Sequence, residues 1–145
     1  TEIVYVARVP VRRIMSVGIT VGTRFPAAVT SMGRVLLAAA SVEERDRILD
    51  ASPLTPRTPR TLTDPVAVRQ ELERVRAQGW ARVDGELEPG LQSLAAPVRG
   101  RDGAVVAAIN LSMSSGRYAE AEVTDRLIPA LLAAAHDIEA DLRMA

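Results

Sequence analysis

The chain has 145 residues, a formal net charge of zero, no cysteine and one histidine. This length suits one domain with a hydrophobic core, and the neutral charge argues against DNA binding by this chain alone, because neutralising phosphates needs clustered basic residues. The missing cysteines exclude disulfides and thiolate metal sites, and a single histidine excludes the usual multi-histidine metal sites. No segment is predicted to cross a membrane or to act as a signal peptide, so a cytoplasmic location is the default expectation.

The first 40 residues predict two strands and a helix. β-Branched residues dominate positions 3–9, and positions 14–19 repeat this pattern after a proline and an arginine pair, so the two strands are expected to form a hairpin. Residues 22–26 are predicted to form a loop. Residues 30–40 predict a helix, because threonine and serine in N-cap position precede an apolar run.

The middle of the chain predicts two further helices on either side of a connector. Residues 41–50 predict a helix with acidic residues in its first turn. Residues 52–63 are rich in proline and threonine, which is typical of an extended connector. Asp64 followed by Pro65 marks the start of the next helix, and Gly79 marks its end.

The last part of the chain predicts three strands and a final helix, over residues 80–84, 91–98, 104–112 and 119–144. The pair Asp102-Gly103 is a strong hairpin signal between the second and third of these strands. Pro129 marks either a kink in the final helix or its first turn. The order of elements indicates an α+β domain in which an antiparallel sheet is flanked by helices on both faces.

The start of the helix at 30–40 is a candidate binding site for a small acid. Its first backbone N–H groups have no partner inside the helix and carry a partial positive charge, so they can hold a carboxylate. Simple capping by Thr30 or Ser31 is the alternative, and both can hold together. No paired nucleophile and base accompany this helix start. Arg34, in its first turn, is expected to form a salt bridge or a structural hydrogen bond rather than to contact a ligand.

Asn110 and Ser112 form a polar pair at one end of an apolar stripe. They share one face of their strand with Val106 and Ala108, because side chains alternate along a strand with a period of two. Buried polar groups need hydrogen-bond partners. A ligand is one candidate partner, and a backbone carbonyl or a water molecule is the other.

Asp84 and Glu86 lie where a predicted strand passes into a loop. As a paired acid and base they would suggest hydrolysis of an ester or a glycoside, but no nucleophile or metal ligand supports such a site. A solvated edge or a cap is the alternative interpretation of these two carboxylates.

Three segments of the chain resemble, in the right order, the C-terminal part of the IclR family of transcription regulators. They are TSMGRVLLA at 30–38, GWARVDGELEPGLQSLAAPV at 79–98 and DGAVVAAINLS at 102–112. The residues at 4–10 and 12–17 further resemble the branch of the family that regulates protocatechuate and 4-hydroxybenzoate catabolism.

The resemblance implies a GAF/PAS-like domain over residues 1–145 that binds an effector and takes part in oligomerisation. In family members this domain follows an N-terminal winged helix-turn-helix domain that binds DNA as a dimer, often within a tetramer. That domain is absent from this chain, so DNA binding is expected to belong to a missing N-terminal part.

The resemblance also indicates a ligand pocket between the sheet and the helix start. Main-chain amides beside Ser31 would hold a carboxylate, and Asp84 is favoured over Glu86 as acceptor for a ligand hydroxyl. The residues expected to bind the ligand are Ser31, Met32, Gly33, Asp84, Ser93, Asn110, Ser112 and Met113.

We therefore expect a sensor of a small organic acid, aromatic or derived from an aromatic compound, and not an enzyme. It is expected to use no catalytic residue, no metal and no cofactor, and to form a homodimer or tetramer. The alternative is a dimerisation or tetramerisation module that has no functional ligand pocket.

Overall fold

The computed structural model describes residues 1–9 and 18–145. Its main sheet is antiparallel and has the strand order β3-β4-β5, with β4 in the centre. These strands are β3 Ala81–Asp84, β4 Leu91–Arg99 and β5 Val105–Ser114. All three were expected, and the turn between β4 and β5 contains Gly103 with a positive φ of 80°, as the hairpin signal predicts.

Two short strands near the N-terminus form a second antiparallel pair. β1 Glu2–Val4 pairs with β2 Arg24–Pro26, so the prediction of a loop over 22–26 is wrong for its last three residues. Ile3 lies opposite Phe25 in this register and is buried. The sequence of Arg24–Pro26 does not itself indicate a strand. Pairing with β1, which buries an apolar residue, favours the extended conformation there.

The hairpin predicted between residues 3–9 and 14–19 depends largely on residues 10–17, which lie outside the described residues. Within the first of these two segments, only residues 3 and 4 belong to a strand.

Three helices in the middle of the chain begin and end at the predicted signals. The side chains of Thr30, Ser41 and Asp64 each accept a hydrogen bond from a backbone N–H in the first turn that follows. Gly79 ends the third helix in the left-handed conformation, with φ 83°. Residues 52–63 form neither helix nor strand, as predicted. The helices are α1 Ser31–Ala39, α2 Val42–Asp50 and α3 Pro65–Gln78.

The C-terminal segment is helical throughout but contains one irregular turn. A short helix, α4 Glu120–Glu122, passes through the π-helical turn Val123–Leu127 into the long helix α5 Ile128–Met144. Pro129 lies in the first turn of α5. A proline ring nitrogen cannot donate the usual hydrogen bond to the carbonyl four residues earlier, so a change of helical winding just before it is expected.

Helices cover both faces of the main sheet. On one face Ala81 and Ala95 pack into a core with α1 and α3. On the other face Leu94, Ala96 and Val98 pack into a second core with α5. The predicted α+β architecture is therefore confirmed. No helix in the described ranges is long and apolar enough to cross a bilayer.

Candidate functional site

The first turn of α1 is fixed by close backbone packing. Thr30 Oγ1 accepts a hydrogen bond from the Gly33 N–H at 3.2 Å and caps the helix. A Cβ atom at Gly33 would lie 2.1 Å from the carbonyl oxygen of Ala27, so only glycine allows this approach. Gly33 thus packs against the 3-10 turn Ala27–Val29, and its N–H already has a partner. The prediction that Gly33 is a ligand contact does not match this position.

A small cavity lies between the start of α1 and the sheet face that α1 covers. Ser31, which is 1% exposed, hydrogen-bonds Ser93 across this space, with 2.8 Å between the hydroxyl oxygens. On β5 the Asn110 amide nitrogen donates to the Ser112 hydroxyl at 3.0 Å. The free volume is about 20 Å³, which is room for about one water molecule. The apolar part of its wall consists of Ile19, Val29, Met32, Val83, Leu87 and Leu91.

The register of the sheet explains why these polar groups meet. Ser93 of β4 lies directly opposite Ser112 of β5, and Asn110 is two residues earlier on the same face. Five of the eight predicted residues therefore surround one cavity, and the first two of them begin α1. These five are Ser31, Met32, Ser93, Asn110 and Ser112. Ligand binding by these residues stays a prediction.

Met113 lies on the opposite face of the sheet. It is 1% exposed and packs in the core that Leu94 forms with α5. Neighbouring residues of a strand point to opposite faces, so Ser112 and Met113 cannot both line the same cavity. Met113 therefore lies outside this cavity, and its position gives the predicted ligand contact no support.

Asp84 is also turned away from the cavity. It follows Val83, which lines the cavity, and therefore lies on the other face of β3. Its carboxylate accepts one hydrogen bond from Arg60 at 3.1 Å and another from the Ser115 hydroxyl. Asp84 therefore lies outside this cavity, and its position gives the predicted hydrogen bond to a ligand no support.

Glu86 forms a buried ion pair with Arg34. Arg34 Nη1 donates to Glu86 Oε1 at 2.8 Å, and Arg34 Nη2 donates to Glu86 Oε2 at 2.6 Å. Arg34 Nε also donates to the carbonyl of Ala28 at 2.9 Å, so the expectation of a structural role for Arg34 is confirmed. Because both Asp84 and Glu86 are bound to arginines, they do not form an acid–base pair. Within residues 1–9 and 18–145, no cluster of histidines and carboxylates could hold a metal ion.

Tyr5 is a wall residue of the cavity that sequence reasoning did not single out. Burial raises the pKa of its phenol, an effect partly offset by hydrogen bonding with the Asn110 side chain and by the positive charge of Arg8. Tyr5 lies two residues after the buried Ile3, so the two-residue period of an extended chain could have indicated that it faces inward.

A larger groove of about 840 Å³ lies elsewhere, beside the C-terminal half of α1. Its charged residues, among them Glu2, Glu44, Arg76 and Arg99, are all exposed. Binding sites for small molecules fix their ligands with a few polar groups that converge inside an enclosed space. The smaller cavity has that arrangement, and we therefore assign the candidate site to it.

Comparison with known proteins gives an independent account of the chain. A family model for the C-terminal region of the bacterial transcriptional regulator IclR matches residues 1–140. The Pca regulon regulatory protein of Pseudomonas putida is 46% identical over 138 residues, which are 94% of this chain and 47% of that protein.

Solved structures agree with this assignment. A chain from Rhodococcus sp. RHA1 is 50% identical, with a TM-score of 0.94 over 99% of this chain and 58% of that one. The inducer-binding domain of the PobR transcription factor from Acinetobacter, a double mutant in complex with 3-hydroxybenzoic acid, is 29% identical. Its TM-score is 0.81, over 88% of this chain and 73% of that one.

The chain spans about half the length of the curated relatives it matches, with 47% of the first and 45% of the second. These relatives are regulatory proteins, so the expectation that the chain is not an enzyme is confirmed. Because the family model covers nearly the whole chain, this protein belongs to the IclR family of bacterial transcriptional regulators and corresponds to their C-terminal domain.

Proposed function

We propose that this chain is an effector-binding domain that senses a small organic acid of the aromatic class. The proposal is carried by one observation, the cavity in which the start of α1 faces Ser93, Asn110 and Ser112. A carboxylate placed there would accept hydrogen bonds from the N–H groups of Ser31 and Met32, which have no partner within the helix. The sheet would supply polar contacts, and the aliphatic wall would pack against the carbon skeleton.

The relatives support an aromatic acid as the ligand class. The related inducer-binding domain of PobR was solved with 3-hydroxybenzoic acid. Another relative, from Acinetobacter baylyi, is a p-hydroxybenzoate hydroxylase transcriptional activator and is 31% identical over 126 residues. Both observations concern the relatives, and they make aromatic acids suitable probes for this chain.

Binding requires the cavity to widen, because a free volume of about 20 Å³ is far smaller than a benzoate ion. The start of α1 and the sheet would move apart, and ligand contacts would replace the hydrogen bond between Ser31 and Ser93. The domain would then have a closed and an open state with different affinities for the acid. Such a difference is what allows a ligand to control a distant activity, here DNA binding by another domain of the whole regulator.

Calorimetric titration of the protein with protocatechuate, 4-hydroxybenzoate and β-ketoadipate tests this proposal. We expect heat of binding with at least one acid, and about tenfold weaker binding in Ser112→Ala, because one hydrogen bond to a charged or polar ligand group is lost. Ser114→Ala is the matched control. Ser114 lies on the same strand and the same face but is exposed, so its loss should not change the affinity. Neither heat nor a thermal shift with all three acids would contradict effector binding.

One observation favours the alternative role as an oligomerisation module. Ile138 and Leu142 continue the stripe of Ile128, Leu131 and Ala135 along α5, but each is 40% exposed. A second copy of the chain could cover them. Sedimentation velocity measures whether the chain forms a dimer. A stable dimer that gives no heat with any acid would favour the alternative role, whereas a dimer that binds an acid would have both roles.

A further inference from the structure

The ring of Tyr5 is a fixed part of the cavity wall, although Tyr5 lies just after β1 and not in the main sheet. Phe25 meets this ring edge to face, with 6.1 Å between the ring centroids and 83° between the ring planes. This contact restrains the direction of the phenol. A polar group of fixed orientation thus lies at the cavity, and none of the contacts proposed above uses it.

The hydroxyl of Tyr5 is suited to donate a hydrogen bond to a ligand. A phenol with the ordinary tyrosine pKa of about 10 is protonated at neutral pH, and burial raises the pKa of Tyr5 further. The positive charge of Arg8 acts on the same group, and Arg8 also donates to the carbonyl of Ile19, another wall residue. An acceptor group on a ligand is favoured at this end of the cavity, above all if it is anionic.

The polar groups of the cavity follow one another along β5. Ser112 lies opposite Ser93, which Ser31 contacts, whereas Asn110, which interacts with Tyr5, is two residues earlier on the strand. Two residues of a strand span about 7 Å. The two side chains nevertheless meet, because the Asn110 amide donates to the Ser112 hydroxyl at 3.0 Å. The polar groups therefore form one row from the start of α1 to Tyr5, and a ligand that lies along this row would meet polar groups at both of its ends.

We propose that Tyr5 is a specificity-determining residue, whose hydroxyl donates a hydrogen bond to a second polar group of the bound acid at the Asn110 end of the cavity. The first carboxylate lies at the start of α1. The ligand class is then an acid that carries a second acceptor, such as a ring hydroxyl or a second carboxylate, opposite its carboxylate. This inference rests on the proposed function.

Two matched pairs of acids test the inference by calorimetry: benzoate with 4-hydroxybenzoate, and hexanoate with adipate. In each pair only the second acid carries a polar group opposite the carboxylate. We expect the wild-type protein to bind the second acid of at least one pair about tenfold more tightly. Tyr5→Phe keeps the ring that packs on Phe25 and removes only the hydroxyl. It should weaken binding of that second acid about tenfold and leave its partner acid unchanged.

Tyr118→Phe is the matched control, because Tyr118 is not part of the cavity wall. Its ring contacts Arg117 and Arg126 instead, with 5.5 and 5.6 Å from their guanidinium carbons to the ring centroid. Equal thermal unfolding of both variants and the wild type shows that the fold is kept. If Tyr5→Phe retains the preference of the wild type, or weakens both acids of a pair equally, this inference is overturned while effector binding stands. If the wild type binds none of these four acids and none of the three named above, both proposals fall.

Discussion

At the scale of single residues, the buried pair of Arg34 and Glu86 does more than neutralise two charges. Arg34 is 1% exposed, and its three nitrogens all have partners. Glu86 also accepts a hydrogen bond from the Leu62 N–H at 3.1 Å. The pair therefore joins α1, the turn before it, the connector and the loop that carries Leu87 to the cavity wall.

We predict that Glu86→Gln lowers the free energy of unfolding by about 3 to 5 kcal/mol, because it leaves the guanidinium buried without its counter-charge. Urea denaturation followed by circular dichroism measures this change. Glu2→Gln is the matched control, since the side chains of Glu2 and its partner Arg24 are 44% and 59% exposed and such a pair contributes about 1 kcal/mol or less. A similar loss at both positions would show that burial of the first pair does not matter.

Single residues also show where sequence reasoning about the site succeeds and fails. The two-residue period placed Asn110 and Ser112 on one face, and the sheet confirms this placement. The same rule places Met113 on the opposite face, in the core with α5. The alternation along β3 likewise turns Asp84 away from the cavity. Its partner Arg60 could not be predicted, because Arg60 lies 24 residues away in sequence and no local pattern indicates which carboxylate an arginine will bind.

At the scale of elements, the position of α1 depends on the absence of a side chain at Gly33. A Cβ there would meet backbone atoms of Ala27 at 2.1 and 2.4 Å, and backbone cannot move aside as a flexible side chain can. Helix propensity alone would favour alanine over glycine by about 1 kcal/mol. Packing and propensity therefore predict opposite effects of the same substitution.

We predict that Gly33→Ala destabilises the protein by about 3 kcal/mol, because the start of α1 must move off the Ala27–Val29 turn. Chemical denaturation gives the sign and the size. Gly18→Ala is the control, since a Cβ at Gly18 would have nothing within 4 Å. A more stable Gly33→Ala variant would mean that the close approach of the two backbone segments is not needed.

Elements differ in how far their own sequence determines them. The bounds of α1, α2 and α3 could be predicted because each begins at a capping side chain only a few residues from the N–H that it binds. The partner of β1 could not, because β2 lies about 20 residues further on and contains only three residues. Its pairing depends on tertiary burial of Ile3 and on the contact between Tyr5 and Phe25.

At the scale of the whole molecule, a bound acid should stabilise the fold, because the cavity joins α1 to the main sheet and exists only in the folded chain. A ligand present at 100 times its dissociation constant adds about 2.7 kcal/mol to the free energy of unfolding. We predict a rise of this size with 4-hydroxybenzoate, measured by urea denaturation at saturating ligand. 4-Hydroxybenzyl alcohol keeps the ring and hydroxyl but lacks the carboxylate, so it should give little or no rise. Equal stabilisation by both compounds would argue against a carboxylate subsite at α1.

The hydrogen bond between Ser31 and Ser93 would compete with any ligand that enters the proposed site. A ligand that separates these two hydroxyls must replace their hydrogen bond with hydrogen bonds of at least equal strength. Otherwise opening the cavity is not favourable. A purely apolar compound that separated these hydroxyls would leave both without a hydrogen-bond partner in a buried position. If the cavity binds an effector as proposed, this hydrogen bond would therefore select against purely apolar molecules.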